Sequence, residues 1–482
     1  MYIEPAYIVA WLLPALVGSG IWFALRERAR GPGDIAAAIG AGWLIGLIVA
    51  AECARFAAAA DTTHAFARTW PWCAGIGLVA WIAAIVRMRR MAAGPPRKDS
   101  ASSNGLRWVW WLLLIWIVAR FLLIGDEASL RPVFPWDAWS AWSTKPKAWF
   151  FAGTAERYVP MAEWLAHPHD ALRTAAAWNY PELLAWVQLW FASAVRVWNE
   201  PLVDVAWCGA LAAFALAAYG YWRAAGLAPW IALVLVYAFV SLPLVDAHVA
   251  LAGYADLWLA ILLGFATLAW TRWMITRERG QWLLAVASAL CLPAIKLEGT
   301  VWLLVFAVVV VLDVVPRRWR RHAVLGGAVV AIIGIFIANA IGSIHVSWNQ
   351  IEIPSLGTFA LAWHGVGGAM AESLFTLPNW HLLWYLVPVL LVLRRRRFRE
   401  DRAAGLLGLM LLIDFALLFV LFFFTTASAW AQDFTSANRL ILQLVPSVFV
   451  LAAVLLRPLG ASDASGADRR TARASAAPRA PA

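Results

Sequence analysis

The sequence predicts an all-α, polytopic membrane protein, and three observations lead there. The 482 residues are 63% hydrophobic and only 14% charged, with a mean hydropathy of +0.71, outside the range of ordinary soluble domains. Apolar runs near the roughly 20 residues needed to cross about 30 Å of hydrocarbon recur along the chain. Basic residues sit in short clusters between these runs, so the net charge of +11 reports membrane orientation and gives no reason to expect nucleic-acid binding.

About thirteen spans follow in order. Residues 7–25 come after "MYIEPA", which lacks the basic segment of a cleaved leader, and stop at "RERAR"; they read as a first span with its N-terminus outside. Residues 35–51 and 70–86 follow, the latter ending at "RMRRMAAGPPRK". Spans 108–124, 203–222, 231–245 and 257–274 come next, with Arg223 closing the second and "TRERG" the fourth. Spans 282–295 and 300–315 are separated only by the tight turn "KLEG", and 323–340 follows "RRWRRH". Spans 381–393, 406–424 and 440–456 complete the set, with "RRRRFREDR" between the first two. Alternation puts 28 of the 39 Lys and Arg on one side and 10 on the other, with Arg120 inside a span. The crowded side is expected to be cytoplasmic.

One apolar segment breaks this alternation. If residues 181–195, "PELLAWVQLWFASAV", formed a full span, every later basic loop would change sides. It is short and contains Gln188, so it is expected to lie along the outer interface or dip in and out, leaving loop 125–201 external. The small, polar, basic stretch 458–482 is expected to be a disordered cytoplasmic tail.

A charge in hydrocarbon is costly, so ionisable residues at span ends should be paired, solvated or functional. On the expected outer side they are Asp137, Lys145 and Lys147 in "PWDAWSAWSTKPKAWF", Asp246 and Asp256 around "DAHVALAGYAD", Lys296 and Glu298 in "IKLEG", and Arg439 in "TSANRL". Trp136 and Trp139 flank Asp137 and belong at a lipid–water boundary. Such a site partly desolvates a carboxylate and keeps it within reach of an incoming hydroxyl. Taken alone, Asp137 reads equally as a helix cap in an aromatic belt. Lys145 and Lys147 suit a phosphate or anionic headgroups, Asp256 suits a helix start, and Arg439 suits a snorkelling anchor or a phosphate ligand.

"HPHD", residues 167–170, lacks the further ligands of a metal site. The four cysteines, Cys53, Cys73, Cys208 and Cys291, have no metal-ligand spacing; Cys53 and Cys73 leave a disulfide open, but isolated cysteines in spans read as small apolar fillers. No phosphate-binding glycine loop, zinc-protease helix or nucleophile elbow occurs.

In their order, these segments resemble the GT-C superfamily of integral-membrane glycosyltransferases, particularly bacterial enzymes similar to aminoarabinose and protein O-mannosyl transferases. "WDAWSAWSTKPKAWF" looks like that superfamily's first large external loop with its catalytic acid, and "NYPELLAWVQLW", which contains Tyr180, like the segment after it. "GYADLWLA" looks like the second acidic site, "IKLEG" like a short Lys-containing turn, and "TSANRLILQLVP" like a C-terminal segment bearing a basic residue. The resemblance covers residues 108–457 and leaves 1–107 as a three-span extension with a cytoplasmic loop. Trp178 and Asn179 stand where a more acidic or His-containing approach is expected.

The resemblance implies an inverting enzyme of the bacterial inner membrane. A polyprenyl-phosphate-linked sugar would be the donor, and a hydroxyl of a glycan, lipid or protein the acceptor. Asp137 would be the general base, with Asp256 orienting the acceptor or taking the base role in its place. Lys145, Lys147, Lys296 and Arg439 would hold the donor phosphate, and Trp136, Trp139, Tyr180 and Glu298 would contact substrate. No cofactor is required, because the donor carries its own leaving group, though two acidic sites on one face admit a divalent cation. The competing expectations are a polysaccharide polymerase or ligase using a lipid-diphosphate-linked glycan, and a lipid-linked sugar transporter. A transporter should carry ionisable groups near the bilayer midplane on broken helices.

Overall fold

The apolar runs become helices because a chain in hydrocarbon must satisfy its backbone hydrogen bonds internally. The computed structural model describes residues 4–27, 31–91, 106–322, 325–327, 345–347, 349–353 and 357–458. Among these, eight helices are long and apolar enough to cross a membrane, and a ninth span is formed if one bent pair counts as one. This is a multi-pass membrane architecture. The eight are Pro5–Ala24, Asp34–Ala57, Thr62–Arg90, Arg107–Leu130, Glu200–Ala224, Ala255–Thr276, Arg402–Phe424 and Ser436–Leu456. Three further expected spans are shorter apolar helices, Arg279–Ile295, Gly299–Val314 and Leu383–Leu393. The expected span 323–340 and the tail fall almost wholly outside the described residues.

The expected span 231–245 is not straight. Helices Pro229–Val240 and Pro243–Ala250 meet at 62°, because Pro243 offers no backbone donor to continue the first helix. The carbonyls freed at the break find side-chain donors. Arg120 Nε donates to Val240 O at 3.1 Å and Nη2 to Ser241 O at 3.4 Å, and His381 Nε2 lies 2.9 Å from Ser241 O. Arg120 is also paired with Asp246. The one basic residue expected inside a span therefore closes a broken helix.

Segment 181–195, expected along the outer interface or dipping in and out, is packed inside the protein. Helix Leu183–Val195 has twelve of its thirteen residues buried, packed against helices Pro5–Ala24, Asp34–Ala57, Ala65–Met91 and Thr144–Ala152. It has no polar face to offer water. Gln188, the residue that made it look interfacial, accepts from Ser143 Oγ at 2.9 Å and donates to Trp142 O at 3.1 Å.

Helix Ala255–Thr276 runs through the centre of the fold, with nineteen of its 22 residues buried. It packs against Glu200–Ala224, Arg279–Leu290 and Ser436–Leu456. The N-terminal helices join the same hydrophobic core. A Cβ on Gly18 would stand 1.9 Å from Gly42 O, so helices Pro5–Ala24 and Asp34–Ala57 approach as closely as small residues allow. At the far end of the central helix, Arg272 reaches Asp34 at 2.8 Å and Arg26 pairs with the same carboxylate. Helix Arg107–Leu130 is peripheral, with only Ile117, Ile124 and Ala128 buried.

Candidate active site

Four separate stretches meet at the N-terminal end of the central helix. Asp256 lies in its first turn, where the helix dipole favours a carboxylate. Gly253 lets the preceding loop turn: its φ is +110°, and a Cβ there would lie 2.5 Å from Ala138 Cβ. Only glycine permits both the conformation and the contact, which brings "GYAD" against "WDAW". Asp137 immediately precedes the π-helical turn Ala138–Trp142, closed by Ser143 N donating to Ala138 O at 2.8 Å. Such turns carry one extra residue and re-aim neighbouring side chains. Lys296 comes from the turn between helices Leu292–Ile295 and Gly299–Val314. Arg439 comes from the first turn of helix Ser436–Leu456.

Asp256 is fully buried, and each of its oxygens takes two donors. Lys296 Nζ and Gln443 Nε2 donate to Oδ1 at 2.8 and 2.7 Å. Arg439 grips Oδ2 through Nε at 2.9 Å and Nη2 at 2.8 Å. The third guanidinium nitrogen, Nη1, donates to Asp137 Oδ2 at 2.6 Å. Lys296 also pairs with Glu298 at 3.0 Å. Burial works against the Lys296 ammonium, but Asp256 and then Glu298 outweigh it and hold its pKa above the ordinary lysine value.

The two aspartates have different chemistry as a result. Asp256 is saturated with donors, from two cations and the Gln443 amide; it serves as an anchor for Lys296 and Arg439. Asp137 has one such partner and a side chain 42% exposed. It is the more accessible of the two carboxylates.

Aromatic groups enclose the charges. Arg439 lies 4.2 Å from the Tyr254 ring centroid, and His248 packs against the same ring at 5.5 Å. His248 is buried, and its Nε2 has no hydrogen-bond partner among the described residues. Burial raises the Tyr254 pKa while Arg439 pulls it down. Trp136 and Trp139 are exposed and meet edge to face at 4.8 Å.

The remaining expected site residues stand around this cluster. Tyr180 lies within electrostatic range of Lys296, Glu298, Asp137 and Arg439, and burial raises its pKa. Lys145 is buried, donates to Tyr180 O at 2.7 Å and stands 3.7 Å from Glu182; burial lowers its pKa, with Glu182 opposing. Lys147 is engaged elsewhere, with Glu200 at 2.6 Å. Asp246 belongs to the Arg120 pair and not to this cluster.

No known protein family, curated protein or solved structure matches the chain. The site must therefore be read from its own geometry. Sequence reasoning missed Gln443 and Trp302, whose indole donates to Gln443 Oε1 at 2.7 Å and so fixes which end of the amide faces Asp256. The available signal was spacing: Gln443 follows Arg439 by four residues, which puts both on one helix face. Among the described residues, no group of three or more His, Cys, Asp or Glu side chains is placed to hold a metal ion, and all four cysteines are free.

Proposed function

We propose that this protein is an inverting membrane glycosyltransferase that moves a sugar from a polyprenyl-phosphate donor to a hydroxyl acceptor at the outer face of a bacterial inner membrane. One observation carries the reading. Asp137 and Asp256 are bridged by Arg439, which is 302 and 183 residues away from them in sequence, and Lys296 completes the cluster at a helix end. That arrangement offers an accessible base beside two fixed cations.

The chemistry follows from these positions. The acceptor oxygen forms a bond to the anomeric carbon from the face opposite the phosphate. Asp137 takes the hydroxyl proton as that bond forms. The carbon–oxygen bond to phosphate breaks, and the polyprenyl phosphate leaves with the electron pair. Arg439 and Lys296 neutralise the charge that develops on it, with Lys145 behind Tyr180 as a further cation. Because Asp256 already fixes both cations, they need little reorganisation during the reaction. Trp136 and Trp139 provide exposed aromatic surface beside Asp137 for the sugar or the lipid.

A second reading, transport of a lipid-linked sugar, is favoured by the 62° break between Pro229–Val240 and Pro243–Ala250, since transporters use broken helices. One experiment separates the two. The full chain is reconstituted in vesicles with a polyprenyl-phosphate sugar, and both acceptor glycosylation and donor movement between leaflets are measured. The proposal expects glycosylated acceptor with release of polyprenyl phosphate. Donor movement without transfer would replace it with the transport reading.

A further inference from the structure

The protein pairs most of the arginines that cap its buried helix ends. Arg26 and Arg272 share Asp34, Arg277 and Arg402 share Asp313, and Arg457 holds Asp401 at 2.9 Å. The run after helix Leu383–Leu393 is different. Arg394, Arg395 and Arg396 are exposed, and their guanidiniums make no hydrogen bond or ion pair among the described residues. They line a cavity of about 530 Å³ together with Val392, Leu393, Arg397 and Glu400.

The same cavity is continuous with an apolar stripe. Leu382, Tyr385, Leu386, Val389, Val392 and Leu393 are all exposed, and their spacing of three and four residues places them on one helix face. The last two also line the cavity. An amphiphile fits this pairing: hydrocarbon chains along the stripe, an anionic head among the arginines.

The location is remote from the candidate active site. Arg397 Nη2 donates to Arg457 O at 3.0 Å, just past the C-terminus of helix Ser436–Leu456, while Arg439 lies at its N-terminus. The 18 residues between them correspond to about 27 Å of helix, so both groups cannot serve one ligand head.

We propose that the Arg394–Arg397 cavity is a binding site for an anionic phospholipid, with the phosphodiester held by the arginines and the acyl chains by the stripe on Leu383–Leu393. Interfacial arginines each add attraction for anionic lipid, and a cluster of them beside an apolar stripe favours a lipid headgroup. Glu400 at the rim leaves the lining strongly cationic overall.

The test uses the purified full chain in phosphatidylcholine nanodiscs with added phosphatidylglycerol, and native mass spectrometry to count lipid retained after release. The Arg394→Gln/Arg395→Gln/Arg396→Gln variant is compared with wild type and with Arg89→Gln/Arg90→Gln. The latter removes exposed charges near the end of helix Ala65–Met91. Wild type and the control should retain phosphatidylglycerol at least on the order of tenfold better than the triple variant. Inorganic phosphate at matched ionic strength should not displace it. Undiminished retention by the triple variant, or an equal loss in the control, would overturn the site. So would displacement by inorganic phosphate, which would make it a free-anion site. In phosphatidylcholine alone the triple variant should unfold at the wild-type temperature; a lower temperature would make the arginines structural and also overturn the proposal.

Discussion

Asp137 and Asp256 differ in what surrounds them, and that difference makes their substitutions separable. Asp137→Asn removes a half-exposed carboxylate with one partner. It should cost transfer by about 10²–10⁴-fold, the usual contribution of a general base, while leaving thermal stability near wild type. Asp256→Asn removes the buried counter-ion that Lys296 and Arg439 share, leaving them only the more exposed Glu298 and Asp137, and should destabilise by about 3–5 kcal/mol. Thermal unfolding of both variants, measured with transfer rates on the same samples, checks this division; equal stability losses would contradict it. Lys296 adds a pH signature. Its folded-state pKa lies above the ordinary value because of Asp256 and Glu298. The stabilisation is therefore complete below its unfolded pKa, about 10.4, and lost as pH rises through the folded one. Relative to Lys296→Arg, which does not titrate there, wild type should lose stability only above about pH 10. A relative loss beginning near neutrality would show that Lys296 is not held in this way. The charged members of the site were legible in sequence because charge is scarce beside apolar spans. Gln443, Trp302 and Tyr254 were not, because amide and aromatic side chains carry no comparable cost there, and tryptophan is common in this chain.

At the scale of elements, the site depends on one loop fitting against another. Gly253→Ala places a methyl group against Ala138 in a conformation that L residues rarely adopt. It should cost about 1–3 kcal/mol and open the Asp137–Arg439 contact, so transfer should fall with stability. Retained activity at reduced stability would separate the loop fit from the chemistry. The helix break can be tested similarly, since Arg120→Met leaves Val240 O and Ser241 O without their arginine donor and Asp246 without its cation. Most helices were legible because their apolar runs end at charges. Burial of helix Leu183–Val195 was not legible, since length and one glutamine describe a short helix packed inside the protein as well as one along or dipping into the membrane surface. The 62° break was hidden too: Pro243 marks it, but apolar composition continues on both sides.

Across the molecule most charge sorts to two ends, with Arg120 and the buried Asp414 lying within spans. Asp256 and Arg272 occupy opposite ends of helix Ala255–Thr276, and their 16-residue separation corresponds to about 24 Å, close to the hydrocarbon thickness. The proposed sidedness is checked by single cysteines in a background with Cys53, Cys73, Cys208 and Cys291 replaced. A cysteine at the exposed His169 should react with an impermeant thiol reagent from outside, and one at the exposed Arg399 should react only after permeabilisation. The reverse pattern would put the Asp137 site on the wrong side for the proposed reaction. The charge asymmetry behind this expectation is a sequence property, whereas the union of the N-terminal helices with the rest of the core depends on packing that composition does not report.

The most direct test of the central claim is single-turnover transfer from a polyprenyl-phosphate-linked sugar by the reconstituted full chain, comparing wild type with Asp137→Asn. Wild type should transfer the sugar, and the variant should do so about 10²–10⁴-fold more slowly from a protein of near-native stability. Full activity in Asp137→Asn would contradict the claim.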